Sequence, residues 1–295
     1  MTGFSAQWLA LREPADVAAR HAGLAADLAL RLARHAGGAE SEQRIVDLGA
    51  GTGSNLRTTA PLLGPRQSWR LLDHDPALLE EARAALAAWG AEQGMAVQSA
   101  GSRLVLEGKG RHIAISFAQA DLAEGLDAIG TGEPHLVTAS AFFDLVSAAW
   151  IARFAAQVAQ QGALFYTVLT CDGRDAWHPG HAADGEIARA FQAHQARDKG
   201  FGPAAGPQAS TLLAEAFQRQ GYGTREESSP WRLGPREGHL VAALAEGTAG
   251  AAAQTGLLAE ETVSVWLNAR RHAGCEIGHA DLLAWPPEAR ALSPG

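Results

Sequence analysis

Sulfur-containing side chains are scarce in this 295-residue sequence, which has only two cysteines and two methionines. Cys171 and Cys275 are far apart in the chain and form no C-x-x-C pair. The sequence therefore predicts neither a disulfide framework nor a cysteine zinc site. We expect both thiols to be reduced packing residues.

Positive charge is also in short supply. The chain has 24 Lys and Arg residues against 32 Asp and Glu, which gives a formal net charge of -8. Affinity for nucleic acid comes mainly from Lys and Arg side chains that neutralise phosphates. We therefore do not expect nucleic acid as a partner, although a local basic patch is compatible with these totals.

Signals for export and for membrane insertion are missing as well. The N-terminus lacks a basic start followed by an apolar run, which a secretory signal requires. The uncharged stretch 154–171 contains three glutamines and Gly162, which divide it into a helix end and a strand. With 47% hydrophobic and 19% charged residues, the composition is that of a globular protein. We expect a cytoplasmic protein without membrane contact.

Strands and helices alternate in the pattern of apolar residues. Predicted strands cover 44–48, 69–72, 135–138, 162–169, 222–233 and 274–285, and a hairpin joins 104–106 to 113–117. Predicted helices cover 5–37 with a new start at Pro14, 55–63, 77–90, 142–160, 182–197, 209–220 and 236–272. Strands separated by helices favour a parallel sheet covered on both faces.

Four regions follow from this pattern. They are an N-terminal helical cap (1–40), a nucleotide-binding α/β core (41–171), a substrate-side insertion rich in Gly, Pro, His and Asp (172–210), and a C-terminal part that completes the sheet (211–295). At this length, one domain with an insertion is the expected arrangement.

The strongest motif is Val-Asp-Leu-Gly-Ala-Gly-Thr-Gly at 46–53, directly after the first strand. A ligand over a strand-to-helix turn is approached closely by backbone, which residues without a Cβ permit. The dinucleotide-binding fingerprint G-x-G-x-x-G requires Gly or Ala at position 54, where this chain has Ser54. The motif instead resembles the first cofactor-binding motif of class I S-adenosylmethionine (SAM) methyltransferases, D-x-G-x-G-x-G.

The resemblance covers residues 40–170 well and implies a fold and a cofactor. The implied fold is α/β, a doubly wound, mostly parallel sheet of seven strands in the order 3-2-1-4-5-7-6 with helices on both faces. Asp47 matches the acidic residue near the methionine part of SAM, and Asp73 matches the carboxylate that holds the ribose hydroxyls. Asp121 and Leu122 match the adenine contacts. The implied cofactor set is Asp47, Gly49, Ala50, Gly51, Gly53, Asp73, His74, Asp121, Leu122 and Ser140.

Alternatives remain for several of these residues. Asp75 rivals Asp73 but precedes Pro76, so it is better interpreted as a helix N-cap. His74 either covers the adenine or faces solvent. We interpret Phe142 and Phe143 as core residues.

The acceptor side carries no specific motif. Candidates for catalysis are Asp144, His178 and His194, and candidates for substrate binding are Arg57, Asp172, Trp177 and Lys199. A plain surface loop explains several of them equally well. The spacing of His178 with His181, and of His194 with Asp198, also allows a metal site, but we expect no metal.

The sequence thus predicts an enzyme of the EC 2.1.1 class that transfers a methyl group from SAM to a small polar or anionic molecule. Alternatives are an RNA or protein methyltransferase, an NAD-dependent oxidoreductase and a non-catalytic SAM-binding protein. Methyl transfer depends mainly on alignment and water exclusion, so the lack of an obvious catalytic dyad does not oppose this prediction. The sequence does not predict the oligomeric state.

Overall fold

A computed structural model describes residues 4–287 and shows helices packed on both faces of one sheet. Within that range the strands are β1 (Gln43–Leu48), β2 (Arg66–Asp73), β3 (Ala96–Ala100), β4 (Arg103–Gly108), β5 (Arg111–Gln119), β6 (Leu136–Ser140), β7 (Leu164–His178), β8 (Gly223–Ser228), β9 (Trp231–Leu233) and β10 (Gly274–Trp285). The helices are α1 (Ala6–Ala19), α2 (Ala22–His35), α3 (Ser54–Thr59), α4 (Pro76–Glu92), α5 (Asp127–Gly130), α6 (Ala148–Gln160), α7 (Asp184–Gln195), α8 (Ala209–Arg219), α9 (Gly238–Ala253) and α10 (Glu260–Arg270).

The sheet is mixed and follows the order β3-β4-β5-β2-β1-β6-β7-β10-β8, with β9 paired to β10. Strands β5, β2, β1, β6 and β7 run parallel, whereas β10 lies antiparallel between β7 and β8. The predicted α/β sheet is present, but the predicted count of seven strands is wrong. The described residues form ten strands, because a hairpin of β3 and β4 extends the edge beside β5 and β9 adds a short segment.

The N-terminal lead-in forms α1 and α2, and the predicted helix start at Pro14 is wrong. Helix α1 begins after Ser5, whose Oγ accepts a hydrogen bond from the Trp8 amide at 3.2 Å, and it continues through Pro14. A proline inside a helix removes one backbone hydrogen bond. Here Arg12 and Asp16 form an ion pair of 2.9 Å across that turn, and Trp231 donates a hydrogen bond to Asp16.

Other predicted boundaries shift in the C-terminal half. Strand β7 is 15 residues long and passes through the predicted start of the insertion at 172. The predicted strand 222–233 divides into β8 and β9, and the predicted helix 236–272 divides into α9 and α10. The predicted helix 142–160 begins only at 148, after a 3₁₀ turn at 143–145.

Two apolar clusters cover the two faces of the sheet. One is aromatic and joins α6 and α8 to the strands through Trp150, Phe154, Phe165 and Phe217, with the rings of Phe165 and Phe217 stacked at 4.9 Å. The other contains leucines of α2 and α4 and reaches Trp266 on α10. No helix among residues 4–287 is long and apolar enough to cross a bilayer.

Candidate functional site

The loop that follows β1 brings bare backbone to the carboxyl edge of the sheet. Gly49 and Gly51 have φ values of +58° and +53°, a conformation that residues with a side chain adopt at a cost. A Cβ on Gly49 would lie 2.9 Å from Phe142 Cδ2, and one on Gly51 would lie 3.0 Å from Leu9 Cδ1. The two glycines therefore lie in close contact with side chains from α1 and from the segment after β6.

Asp73 ends β2 and lies against this loop. Its carboxylate accepts hydrogen bonds from the Gly51 amide at 2.9 Å and from the Asp75 amide at 3.0 Å, and the residue is 5% exposed. The neighbouring His74 is exposed, with Nδ1 3.3 Å from Asp73 Oδ1. Asp75 caps α4 by accepting the Ala77 amide at 2.8 Å. The two acidic residues thus have different roles in the structure, and the loop contact belongs to Asp73.

Asp47 is fully buried beneath the same loop. One carboxylate oxygen accepts a hydrogen bond from Asn55 at 2.7 Å, and the other oxygen has no partner among the described residues. Arg20 of the N-terminal segment donates to the Asn55 side-chain oxygen at 2.9 Å. Burial raises the pKa of Asp47 to about 7, with the nearby Asp73 charge acting in the same direction.

The ends of β5 and β6 complete this edge. Asp121 follows β5, and its Oδ1 accepts the Ala123 amide at 2.9 Å. Trp150 of α6 donates to the Leu122 carbonyl at 2.8 Å, which fixes the loop on the aromatic cluster. Ser140 ends β6, next to the end of β1. Because β5, β2, β1 and β6 are parallel neighbours, the predicted cofactor residues lie along one edge of the sheet.

Comparisons with known proteins find this architecture in solved structures. No protein-family model and no curated protein sequence matches the chain. A cyclopropane-fatty-acyl-phospholipid synthase-like protein from Lactobacillus casei superposes with a TM-score of 0.51 at 12% identity, over 96% of this chain and 95% of that one. That likeness is one of fold, a mixed α/β sheet with helices on both faces.

Two further similar structures are SAM-dependent methyltransferases solved with S-adenosyl-L-homocysteine. The protein from Thiobacillus denitrificans has a TM-score of 0.43 at 15% identity, over 96% of this chain and 99% of that chain. The protein from Geobacter sulfurreducens has a TM-score of 0.43 at 15% identity, over 97% of this chain and 100% of that chain. At such identities a likeness shows the fold and not the activity.

Two of the acceptor-side candidates lie near the same edge of the sheet. Asp144 is in the 3₁₀ turn after β6, and burial raises its pKa. Asp172 lies on β7 and holds Arg174, with Oδ2 2.9 Å from Arg174 Nε. Asp144 follows β6, the neighbour of β1, and Asp172 lies on β7 beyond the last pair that β7 forms with β6.

The other acceptor candidates do not converge on that position. Trp177 is 5% exposed and packs edge-on against Trp266 at 5.4 Å, so its ring belongs to the core. His178 ends the extension of β7, opposite Gly274 of β10. His194 on α7 lies 3.0 Å from the Gln254 side chain, and Lys199 is in the loop after α7. These residues are distributed along the insertion because β7, still paired with β10, carries the chain beyond the end of β6 before it turns.

The side chain of Arg57 binds the N-terminal helix α1. Its guanidinium bonds Glu13 of α1 at 2.9 and 2.6 Å and the Thr52 carbonyl at 2.7 Å. It thus connects α1 to the glycine loop. Within residues 4–287, no group of three His, Cys, Asp or Glu side chains is arranged to hold a metal ion.

The polar residues beneath the glycine loop, and one side chain that contacts the loop, were not predicted from the sequence. Asn55 bonds Asp47 and Arg20 bonds Asn55, and Phe142, which packs against the aromatic cluster as predicted, also contacts Gly49. Asn55 is a polar residue on the inward side of the helix that begins at Ser54. This position was the available sequence signal for its role beneath the loop. The position of Phe142 depends on the turn after β6, where Ala141 has a φ of +51°, and no local pattern predicts that turn.

Proposed function

We propose that this protein is a SAM-dependent methyltransferase that acts on a small polar molecule. The carrying observation is the contact between the Gly51 amide and the Asp73 carboxylate, at 2.9 Å. That contact holds the glycine loop beside the acidic group at the end of the next strand. A bound ribose needs this arrangement, in which backbone without side chains lies beside a carboxylate whose two oxygens accept hydrogen bonds from its two hydroxyl groups.

The residues present fit this cofactor. Asp73 and Asp121 follow neighbouring parallel strands, so one carboxylate would take the ribose and the other the adenine amino group. Asp47 Oδ2 is buried without a partner below the loop. Leu9 and Phe142 contact the glycines, so these two side chains would lie against the bound cofactor or move aside for it.

SAM supplies a methyl group on a sulfonium, which is already an excellent leaving group. The task of the protein is therefore to bind, to orient the acceptor and to exclude water. Helix α1 lies over the loop and is tied to it by Arg57, so it provides a cover that excludes solvent. Solved structures of the same fold that contain S-adenosyl-L-homocysteine support the choice of cofactor.

The proposal is tested by binding of S-adenosylhomocysteine to the full chain. We expect calorimetry to show binding and the melting temperature to rise with ligand concentration. Asp73→Asn should weaken the affinity by roughly tenfold or more, because an amide offers one acceptor oxygen where the carboxylate offers two. Absence of binding to the folded wild-type protein would contradict the proposal.

The matched control is Asp75→Asn, two residues further along. Asp75 caps α4, and asparagine is an equally good cap, so this variant should fold and bind normally. A parallel titration with NAD tests the oxidoreductase alternative. Transfer of a labelled methyl group from SAM into fractionated metabolites, tRNA and protein then separates a small-molecule enzyme from the RNA, protein and non-catalytic alternatives.

A further inference from the structure

A cavity of about 200 Å³ opens beside the glycine-loop edge, between β7, β10, β8 and the first turn of α8. Its polar lining comes from four elements and includes Asp172, Ser210, Glu226, Glu227, Ser228 and His279. Strand β10 separates β7 from β8, and both of those strands run in the same direction. The cavity therefore opens beside the end of β8 and beside the part of β7 that continues past the end of β6.

The charge of this lining is negative. Of its three carboxylates, Asp172 pairs with Arg174 and Glu227 pairs with Arg225, whereas Glu226 has no cationic partner among the described residues. Ser210 donates a hydrogen bond to Glu226 Oε2 at 2.6 Å, which fixes that carboxylate at the wall without neutralising it. An anion would meet repulsion here, whereas a compact cation would gain charge-assisted hydrogen bonds.

His279 provides an independent sign that a polar ligand belongs in the cavity. The residue is 5% exposed, it lines the cavity, and its Nδ1 has no hydrogen-bond partner among residues 4–287. Burial lowers its pKa to about 4, so the ring is neutral at neutral pH. A buried polar atom left without a partner costs about 1–3 kcal/mol, and a ligand that supplies the partner recovers this.

A series of contacts connects the cavity to the glycine loop. Strands β1, β6 and β7 are consecutive neighbours, and β7 continues past the ends of the other two before it reaches Asp172. Pro207 lines the cavity, and Phe201 of the same segment contacts the Phe142 ring at 5.8 Å. Phe142 in turn contacts Gly49.

We propose that this cavity holds the methyl acceptor, and that the acceptor is a small organic amine recognised by Asp172, Glu226 and the imidazole of His279. This inference rests on the proposed function and narrows its substrate class. In the transfer, the ammonium group first loses a proton to water. Its nitrogen lone pair then forms the bond to the methyl carbon while the carbon–sulfur bond breaks, and the electron pair stays on sulfur. The products are the methylated amine and S-adenosylhomocysteine.

Three probes of similar size test the charge preference. Propylamine, propanol and propionate are each added to the full-length protein with S-adenosylhomocysteine, and contact is measured by saturation-transfer NMR. We expect propylamine to give the strongest transfer, with at least a several-fold loss in Asp172→Asn and in Glu226→Gln. Glu215→Gln, on the exposed side of the same helix as Ser210, is the matched control and should behave as wild type.

Several results overturn the inference. Preference for propionate, equal transfer to all three probes, or propylamine binding that both carboxylate variants leave unchanged each contradict it. Calorimetry with S-adenosylhomocysteine on the same samples separates the two proposals. Normal cofactor binding without carboxylate-dependent amine binding removes the acceptor site and leaves the proposed function, whereas folded protein that does not bind S-adenosylhomocysteine removes the proposed function itself.

Discussion

Arg57 and Glu13 form a two-point ion pair that joins the helix after the glycine loop to the N-terminal helix, with N–O distances of 2.9 and 2.6 Å. Arg57 also bonds the Thr52 carbonyl inside the loop. Both side chains are mostly buried, so solvent screens this pair less than a surface ion pair. Helix α1 is thus held over the proposed cofactor site by one side chain that contacts both.

Glu13→Gln should loosen this cover. The variant keeps the shape of the side chain and removes its charge, and hydrogen bonds to charged groups contribute about 1.5–3 kcal/mol. We expect faster amide hydrogen exchange in α1 and faster association of S-adenosylhomocysteine. Asp27→Asn, which alters the ion pair with Arg31 on α2, should change neither. Unchanged exchange in α1 would show that the pair does not hold the helix.

Gly49→Ala should be more damaging than Gly101→Ala. The two glycines have nearly the same φ, +58° and +56°, so the strain on an alanine backbone is matched. A Cβ at Gly49 would lie 2.9 Å from Phe142, whereas nothing lies within 4 Å of one at Gly101. Urea unfolding of both variants measures the difference, and affinity for S-adenosylhomocysteine should fall only at Gly49. Equal costs would mean that the contact with Phe142 relaxes freely.

Asp47→Asn should change the pH dependence of stability. The pKa of this carboxyl is raised from 3.8 to about 7 in the folded protein, so the folded state holds a proton that the unfolded state has lost between those values. Its contribution to stability is therefore largest at low pH and declines as the pH rises from about 4 to about 7. Asparagine does not titrate, so the variant should gain relative to wild type at pH 8. Melting temperatures from pH 5 to pH 8 that run parallel for the two proteins would refute this account.

Arg270→Met should lower stability without affecting the cofactor. Arg270 is 1% exposed and bonds Asp184 at 2.6 and 2.8 Å, which fixes α7 against α10. Removing one partner of a buried ion pair costs about 3–5 kcal/mol, and the partial exposure of Asp184 reduces this to about 2 kcal/mol or more. Thermal unfolding should occur several degrees lower, with unchanged affinity for S-adenosylhomocysteine. A loss of affinity would place this network in the binding site.

The sequence predicted the alternating core of the fold because its signals are local. The glycine loop consists of consecutive residues that follow an apolar strand. Strand β10 was predicted at its observed limits, Gly274 and Trp285. By contrast, β3 lies exposed along its whole length, so its pattern of apolar residues gave no indication of a strand. Its pairing with β4 depends on a partner rather than on its own sequence.

The acceptor side was less predictable for a related reason. Asp172 and His279 are more than a hundred residues apart and meet only because β10 pairs with β7. The histidines of the insertion were conspicuous in the sequence, yet Trp177 beside them packs in the core and His194 bonds a glutamine. A high density of polar residues along the chain does not indicate which of them lie close together in the fold.

The insertion of β10 between β7 and β8 determines when the sheet can form. Residues 274–285 are the last described strand, and the three strands that pair with it, β7, β8 and β9, all precede it in the chain. On a ribosome, β7 and β8 therefore emerge before the strand that joins them, and each keeps an unpaired edge until β10 arrives. Assembly of this half of the protein has to wait for the C-terminal strand, and any truncation before it should leave an aggregation-prone intermediate.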